Sequence, residues 1–250
     1  MKKILVPLFM LISAQLFSQQ TDALLKEATN LERSLKEEAA LDKYKQVLSA
    51  DSNNVKALIR SSELSSAIGA RQRDKNAKTN YYDLARDYAD KAISKDPNNA
   101  DAYYVRAVAA GKLTEIDTEN KKLVEDVKDI KTYADKALSI NPNHGKANYV
   151  LGKWNFEVLT LSWAKKAAVK VLYGGMQQAT IENAYQYMEK CKAIEPYFVP
   201  NYLNLAKAYK YDHKPAQAIA VLNQLVKLPT RTADDMALKS EGKKMLSEMQ

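Results

Sequence analysis

Tyr88-Ala89-Asp90-Lys91-Ala92-Ile93-Ser94-Lys95-Asp96-Pro97-Asn98 returns as Tyr133-Ala134-Asp135-Lys136-Ala137-Leu138-Ser139-Ile140-Asn141-Pro142-Asn143, with eight of eleven positions identical 45 residues further on. Each copy carries apolar residues at helical spacing and then a proline, which cannot continue a helix. The Asp and Asn residues around that proline are suited to cap a following helix. Residues 48–54 hold a looser copy, and Ala193-Ile194-Glu195-Pro196 another. A closure and restart repeated at this level of identity marks an array of helical units.

Outward from these closures the pattern is helix pairs. Tyr202, Leu205, Ala206 and Tyr209 fall at i, i+3, i+4 and i+7, and Ala218, Val221, Leu222 and Leu225 do the same. The link from Tyr211 to Pro215 is short, so the two helices are predicted to lie antiparallel, with Ala206 and Ala218 allowing close approach. Leu205-Ala206-Tyr209 with Ala218-Leu222-Leu225, and Leu151-Gly152 with Ala184-Met188-Cys191, resemble the tetratricopeptide repeat. The spacing from Pro196 to Pro229 is 33, close to that motif's usual length of about 34. The longer steps, 45 from Pro97 to Pro142 and 54 from Pro142 to Pro196, indicate insertions in the middle units.

The expected fold class is therefore all-α: a right-handed superhelical solenoid of about five tetratricopeptide-like helix pairs plus a C-terminal capping helix. The pairs are drawn over residues 21–50, 55–95, 100–140, 145–194 and 199–228, with Thr232 capping a last helix to about Met249. Composition agrees with a folded helical chain: 46% hydrophobic, 27% charged, and only seven glycines and seven prolines in 250 residues. The net charge of +8 biases the chain toward acidic partners. Of the 38 basic residues only seven are Arg, and the lysines alternate with acids. Solvated helix faces account for that pattern better than a nucleic-acid surface, so no nucleic-acid partner is expected.

The chain opens with Met1-Lys2-Lys3, then the apolar run from Ile4 to Ile12, then Ser13-Ala14-Gln15-Leu16-Phe17-Ser18. Charged, apolar and small-residue regions in that order make a secretory signal peptide. Residues 1–18 are accordingly assigned as a signal and 19–250 as the repeat domain. The protein is expected to be periplasmic or secreted, without a lipid-anchor cysteine. Cys191 is the lone cysteine, and it falls on the apolar side of a helix as a small core residue.

The fourth pair carries a closer likeness. Leu151-Gly152-Lys153-Trp154 runs without a breaker into Leu161-Ser162-Trp163, and Leu172-Tyr173-Gly174-Gly175 precedes the next helix. This order resembles the regulator of microtubule dynamics family, with its Leu-Gly-Arg-Trp and Leu-Ser-Trp segments and its Phe-Gly turn. The tail Pro229-Thr230-Arg231-Thr232-Ala233-Asp234-Asp235 is similar to that family's ending. Lys153, Tyr173 and Tyr104 stand where the family usually or often has Arg, Phe and Trp. The resemblance implies a tetratricopeptide-like domain that works by association. An exported chain would not meet microtubules, so the fold is carried over and the cytoskeletal partner is not.

First helices of such repeats line a concave face. Ile59, Tyr104, Tyr149 and Leu203 are placed one turn along it, Lys153 and Lys207 a turn further, and Tyr211 beyond. Tyr104, Tyr149, Lys153, Lys207 and Tyr211 are the candidate binding residues, suited to an extended peptide or to a ligand with an acidic head and apolar body. The alternative is an apolar small molecule or lipid enclosed in the superhelical channel. The amphipathic segment 162–172, with Lys165, Lys166 and Lys170, is a candidate contact for a membrane or acidic partner. Trp154 and Trp163 are expected in the core, on opposite sides of one continuous helix. With no phosphate loop, no zinc motif and no nucleophile elbow, neither enzymatic activity, nor a metal, nor a cofactor is expected.

Overall fold

In the computed structural model, residues 5–117, 119–162, 166 and 179–250 are described, with side chains from residue 19 onward apart from residue 120. Eleven α-helices are present among them: α1 (Leu5–Arg33), α2 (Glu37–Ala50), α3 (Val55–Arg71), α4 (Lys75–Lys95), α5 (Ala100–Leu113), α6 (Asn120–Ile140), α7 (Gly145–Thr160), α8 (Ile181–Ile194), α9 (Val199–Tyr211), α10 (Pro215–Leu225) and α11 (Asp235–Ser247). They form five antiparallel pairs, α1–α2 through α9–α10, and α11 closes the stack against α9 and α10. The first helix starts earlier than the expected residue 21. No described helix is long and apolar enough to cross a membrane.

The 45-residue period is visible atom by atom in the loops. Asn54 Oδ1 accepts from the Ala57 N–H at 3.1 Å, Asn99 Oδ1 from Ala102 at 3.3 Å, and His144 Nδ1 from Ala147 at 3.0 Å. Three residues before each cap, Asp51, Asp96 and Asn141 accept from the backbone of Asn53, Asn98 and Asn143. Each loop thus makes an Asx turn that delivers the next cap, which satisfies amides that the helix start leaves open. The fourth closure abandons this device: Phe198 gives α9 no side-chain cap, and Pro200 in the first turn has no N–H to satisfy.

Packing follows the small residues. Ala40, Ala57, Ala85, Ala89, Ala102, Ala134, Ala147, Ala184, Ala206 and Ala218 are all fully buried, with Tyr44, Tyr82, Leu151, Trp154 and Met188 filling the space beside them. Gly152 shows why the fourth pair needs a glycine. A Cβ there would meet Met188 Cγ at 2.6 Å and the Ala184 carbonyl oxygen at 2.9 Å. The Trp154 indole N–H donates to the Val127 carbonyl at 2.9 Å, so this ring seals the α6–α7 joint from the core side. Cys191 is fully buried as expected.

The first helices of successive pairs pack on one another (α3 on α5, α5 on α7, α7 on α9), whereas no such packing joins α4 to α6 or α6 to α8. First helices therefore take the inside of the curve and second helices the outside. One expectation needs correction here. The fourth pair's first helix is not continuous into residue 163, because α7 stops at Thr160 and Leu161 turns to extended backbone. The Thr160 hydroxyl donates back to the Phe156 carbonyl at 2.9 Å, and Lys166 Nζ reaches over to the Leu159 carbonyl at 2.9 Å, so the last turn is closed by side chains. Trp163, Lys165, Lys170 and most of the 162–172 segment lie outside the described residues, as does the turn at 172–175.

Candidate functional site

The inside of the curve holds a groove of about 650 Å³ bounded by α3, α5, α7 and the loops before them. Its wall repeats the 45-residue register: Lys56, Asp101 and Lys146 occupy one level, Ile59 and Tyr104 the next, and Glu63 the one beyond. Tyr149 and Lys153 continue those two upper levels on α7.

Glu63 is the electrostatic centre. Its Oε1 receives Lys146 Nζ at 2.6 Å and the Tyr104 hydroxyl at 3.3 Å, and its Oε2 pairs with Arg60. Arg60 also pairs with Glu32 of α1, whose Oε1 accepts from the Tyr44 hydroxyl at 2.6 Å. Four first helices, α1, α3, α5 and α7, are thus joined by one network of ion pairs and hydrogen bonds along the concave side. Burial alone pushes the Glu63 carboxyl up, but Lys146 and Arg60 outweigh it and hold it at about 2. With 19% of its side chain exposed, the carboxylate still faces the groove.

A second cluster lies further along. Tyr149 meets Phe198 edge-on with ring centres 5.1 Å apart, and Asn204 Nδ2 donates to its hydroxyl at 3.1 Å. Lys146 sits over both the Tyr104 and Phe198 rings, at 5.6 and 5.8 Å. Burial pushes the Tyr149 phenol up to about 12, so it stays neutral and serves as donor and acceptor. Lys153 lies beside it, paired with Glu157 at 2.9 Å and 39% exposed. Burial lowers the Lys153 ammonium's pKa, but Tyr149 and Glu157 reverse that and it is raised.

The five sequence candidates therefore divide. Tyr104 is a buried wall residue, 5% exposed, with its hydroxyl committed to Glu63. Tyr149 and Lys153 face the curve together. Lys207 is committed to Glu241 of α11 at 2.7 Å. Tyr211 stands at the far end, 50% exposed and edge-on to Phe156 at 5.8 Å. Free lysines for an acidic ligand head are thus fewer than the sequence suggested, since Lys146, Lys153 and Lys207 each hold an internal carboxylate. Sequence reasoning missed Arg60, Glu63 and Lys146. One helical turn beyond Ile59 lies Glu63, and two 45-residue periods on from Glu63 lies Lys153, which is the signal that was available.

The thiol and imidazole groups near this surface are both engaged internally. Burial beside Glu195 pushes the Cys191 thiol up to about 12, away from nucleophilic use. His144 accepts with Nδ1 as a helix cap and points Nε2 at Asp101 Oδ1, 2.9 Å away, so both ring nitrogens are engaged. Among the described residues no group of three His, Cys, Asp or Glu side chains is placed to hold a metal ion.

Comparison with known proteins places the chain. The family model described as regulator of microtubule dynamics protein 1-3 matches residues 17–250. Regulator of microtubule dynamics protein 2 of Macaca fascicularis is 26% identical over 173 residues, which is 69% of this chain and 42% of that protein. Regulator of microtubule dynamics protein 1 of Caenorhabditis elegans is 25% identical over 163 residues, 65% of this chain and 72% of the relative. The chain thus spans less than half the length of the mammalian relatives it matches. Among solved structures, TTC0263, a thermophilic TPR protein in Thermus thermophilus, superposes with a TM-score of 0.66 at 14% identity, covering 91% of this chain and 99% of that one. PilW, a type IV pilus biogenesis factor, gives 0.57 at 18% identity, covering 92% and 90%. These likenesses show the tetratricopeptide-type α-solenoid fold.

Proposed function

The chain belongs to the regulator of microtubule dynamics family, and we propose that it is an exported, non-enzymatic repeat scaffold holding an extended segment of a protein partner along its concave groove. The observation that carries this reading is the mixed character of the inner wall. Ile59, Tyr149 and Phe198 offer apolar and aromatic contact, while Asn204, Lys153 and the Glu63 cluster offer donors and acceptors within the same curve. An extended peptide presents both kinds of group along its length and is matched by such a wall. An acyl chain would have to lie against Arg60, Glu63, Asp101 and Lys146, and desolvating those charges without new partners is costly. The peptide reading is therefore preferred to the lipid one. The leader-like residues 1–18 motivate export, and a partner outside the cytoplasm follows from it. The family's name speaks of microtubules, which such a location would exclude.

A photo-activatable benzophenone side chain at Ile59 should yield discrete cross-linked protein products, and one at Lys91 on the convex side should not. Tyr149→Ala and Lys153→Ala, set in the Ile59-labelled chain, should each weaken that capture several-fold. Equal yields from the two faces would remove the concave assignment. For export, the mass of the protein recovered outside the cytoplasm should be short of residues 1–18; a full-length product retained in the cytoplasm would refute it.

A further inference from the structure

The two ends of the solenoid touch. Arg71, at the end of α3, donates from Nη2 to Glu37 Oε2 at 2.7 Å and from Nη1 to Asp234 Oδ1 at 3.1 Å. Glu37 uses its other oxygen to accept from the Ala233 backbone N–H at 3.0 Å, a contact between residues 196 apart in sequence. Arg71 also lies 3.5 Å from Glu38. The loop before α11 is shaped for this meeting. Asp235 accepts from the Arg231 and Thr232 amides at 2.7 and 2.9 Å and from the Thr232 hydroxyl at 2.8 Å, which fixes the turn that presents Ala233 and Asp234.

This seam differs in substance from every other joint in the stack. The apolar cluster built on α1–α4 and the one built on α7–α11 share no residue, and the contacts described across the seam are polar. Charge holds them, and the charges are reachable by water: the Arg71 and Asp234 side chains are 28% and 38% exposed. Glu37, at 7%, is the enclosed member, and Arg71 and the Ala233 amide are what compensate its charge there. Ion pairs open to solvent are screened by salt, whereas the apolar joints of the helix pairs are not.

We propose that Glu37, Arg71 and Asp234 form an ionic clasp that closes the solenoid into a ring and sets the curvature of the concave face, opening when its charges are screened or removed. Closed, the clasp draws the first pair toward the last and fixes how far apart the groove's levels stand. Open, the stack relaxes as a spring held only by its neighbouring pairs. The role of the groove as a binding surface rests on the function proposed above; the clasp itself does not.

Nitroxide labels at Ser34→Cys and Lys227→Cys on the full chain, with the buried Cys191 replaced by Ala, read the end-to-end distance without any partner. Low salt should give one narrow, short distribution. Arg71→Ala should shift it to a longer mean and broaden it, Asp234→Asn should do so to a smaller extent, and about 1 M salt should move the unaltered chain the same way, since charges are then screened beyond about 3 Å. Should Arg71→Ala disturb folding, as circular dichroism would reveal, Asp234→Asn and the salt series decide instead. Distances unmoved by substitution and by salt would overturn the clasp. A clasp that responds, in a chain whose groove yields no cross-links, would leave the clasp standing and remove the binding reading.

Discussion

The joint between α7 and α8 and the seam between α3 and the loop before α11 both bring distant segments together, and they are made of opposite materials. In the first, Gly152 lies against Met188 and the Ala184 carbonyl, with Leu151, Trp154 and Cys191 buried around it. In the second, an arginine divides itself among three carboxylates, two of them open to water. Apolar close packing fixes each pair and its neighbour within fractions of an ångström. Polar contacts then decide the larger shape. Local structure and overall curvature are thus set by different forces and respond to different perturbations.

The largest expected effect attacks the apolar joint. Gly152→Val would drive a branched side chain into backbone as well as Met188, and overpacking of this kind costs about 3 kcal/mol; urea unfolding should show the loss, with no selective change in the end-to-end distance. Next comes the charged chain of the concave side. Glu63→Gln leaves Arg60 and Lys146 short of a partner and should cost about 2 kcal/mol at neutral pH. The sign with pH follows from the carboxyl being held at about 2. Its contribution is present above the unfolded value of roughly 4.3 and is lost as pH falls from there toward 2. Stability measured across that range should drop in the unaltered chain and stay flatter in the Gln variant.

A smaller effect of opposite sign is expected at Asp126. Burial, together with Asp117 as a hydrogen-bonded neighbour, raises its carboxyl to about 7, while Asp117 is lowered and pairs with Lys122 at 2.9 Å. A raised acid favours the fold at low pH and penalises it progressively as pH climbs from about 4 to about 7. Asp126→Asn should therefore gain about 1 kcal/mol at pH 8, where that penalty is complete, with a shallower slope below pH 7. The smallest effect tests the repeated loops. His144→Asn restores the residue found 45 and 90 positions earlier and should leave thermal stability within about 0.5 kcal/mol, whereas His144→Ala loses the cap and about 1 kcal/mol.

Much of this architecture was legible in the chain. The five pairs, the capping helix and the buried Ala206, Ala218, Trp154 and Cys191 all follow from periodicity and small residues, because pair formation is local. The end of α7 was not legible. Residues 158–163 carry no proline or glycine, and the stop depends on side-chain bonds from Thr160 and Lys166 that no periodicity encodes. Tyr149 and Lys153 were placed on the concave side by register, but their partners were hidden. Whether a lysine is free depends on a carboxylate from another unit, as Lys207 with Glu241 and Lys146 with Glu63 demonstrate. The ring seam was beyond reach for the same reason, since it joins residues 37 and 233 through a curvature that accumulates over the whole stack.

Cys191 has a practical consequence. Sealed beneath Tyr149, and the lone thiol in the sequence, it can meet a labelling reagent only when α8 lifts from its neighbours. The protein therefore contains its own stopwatch for breathing of the fourth unit: the rate at which a thiol-specific dye is taken up, in otherwise native solution, times how often that part of the stack comes apart.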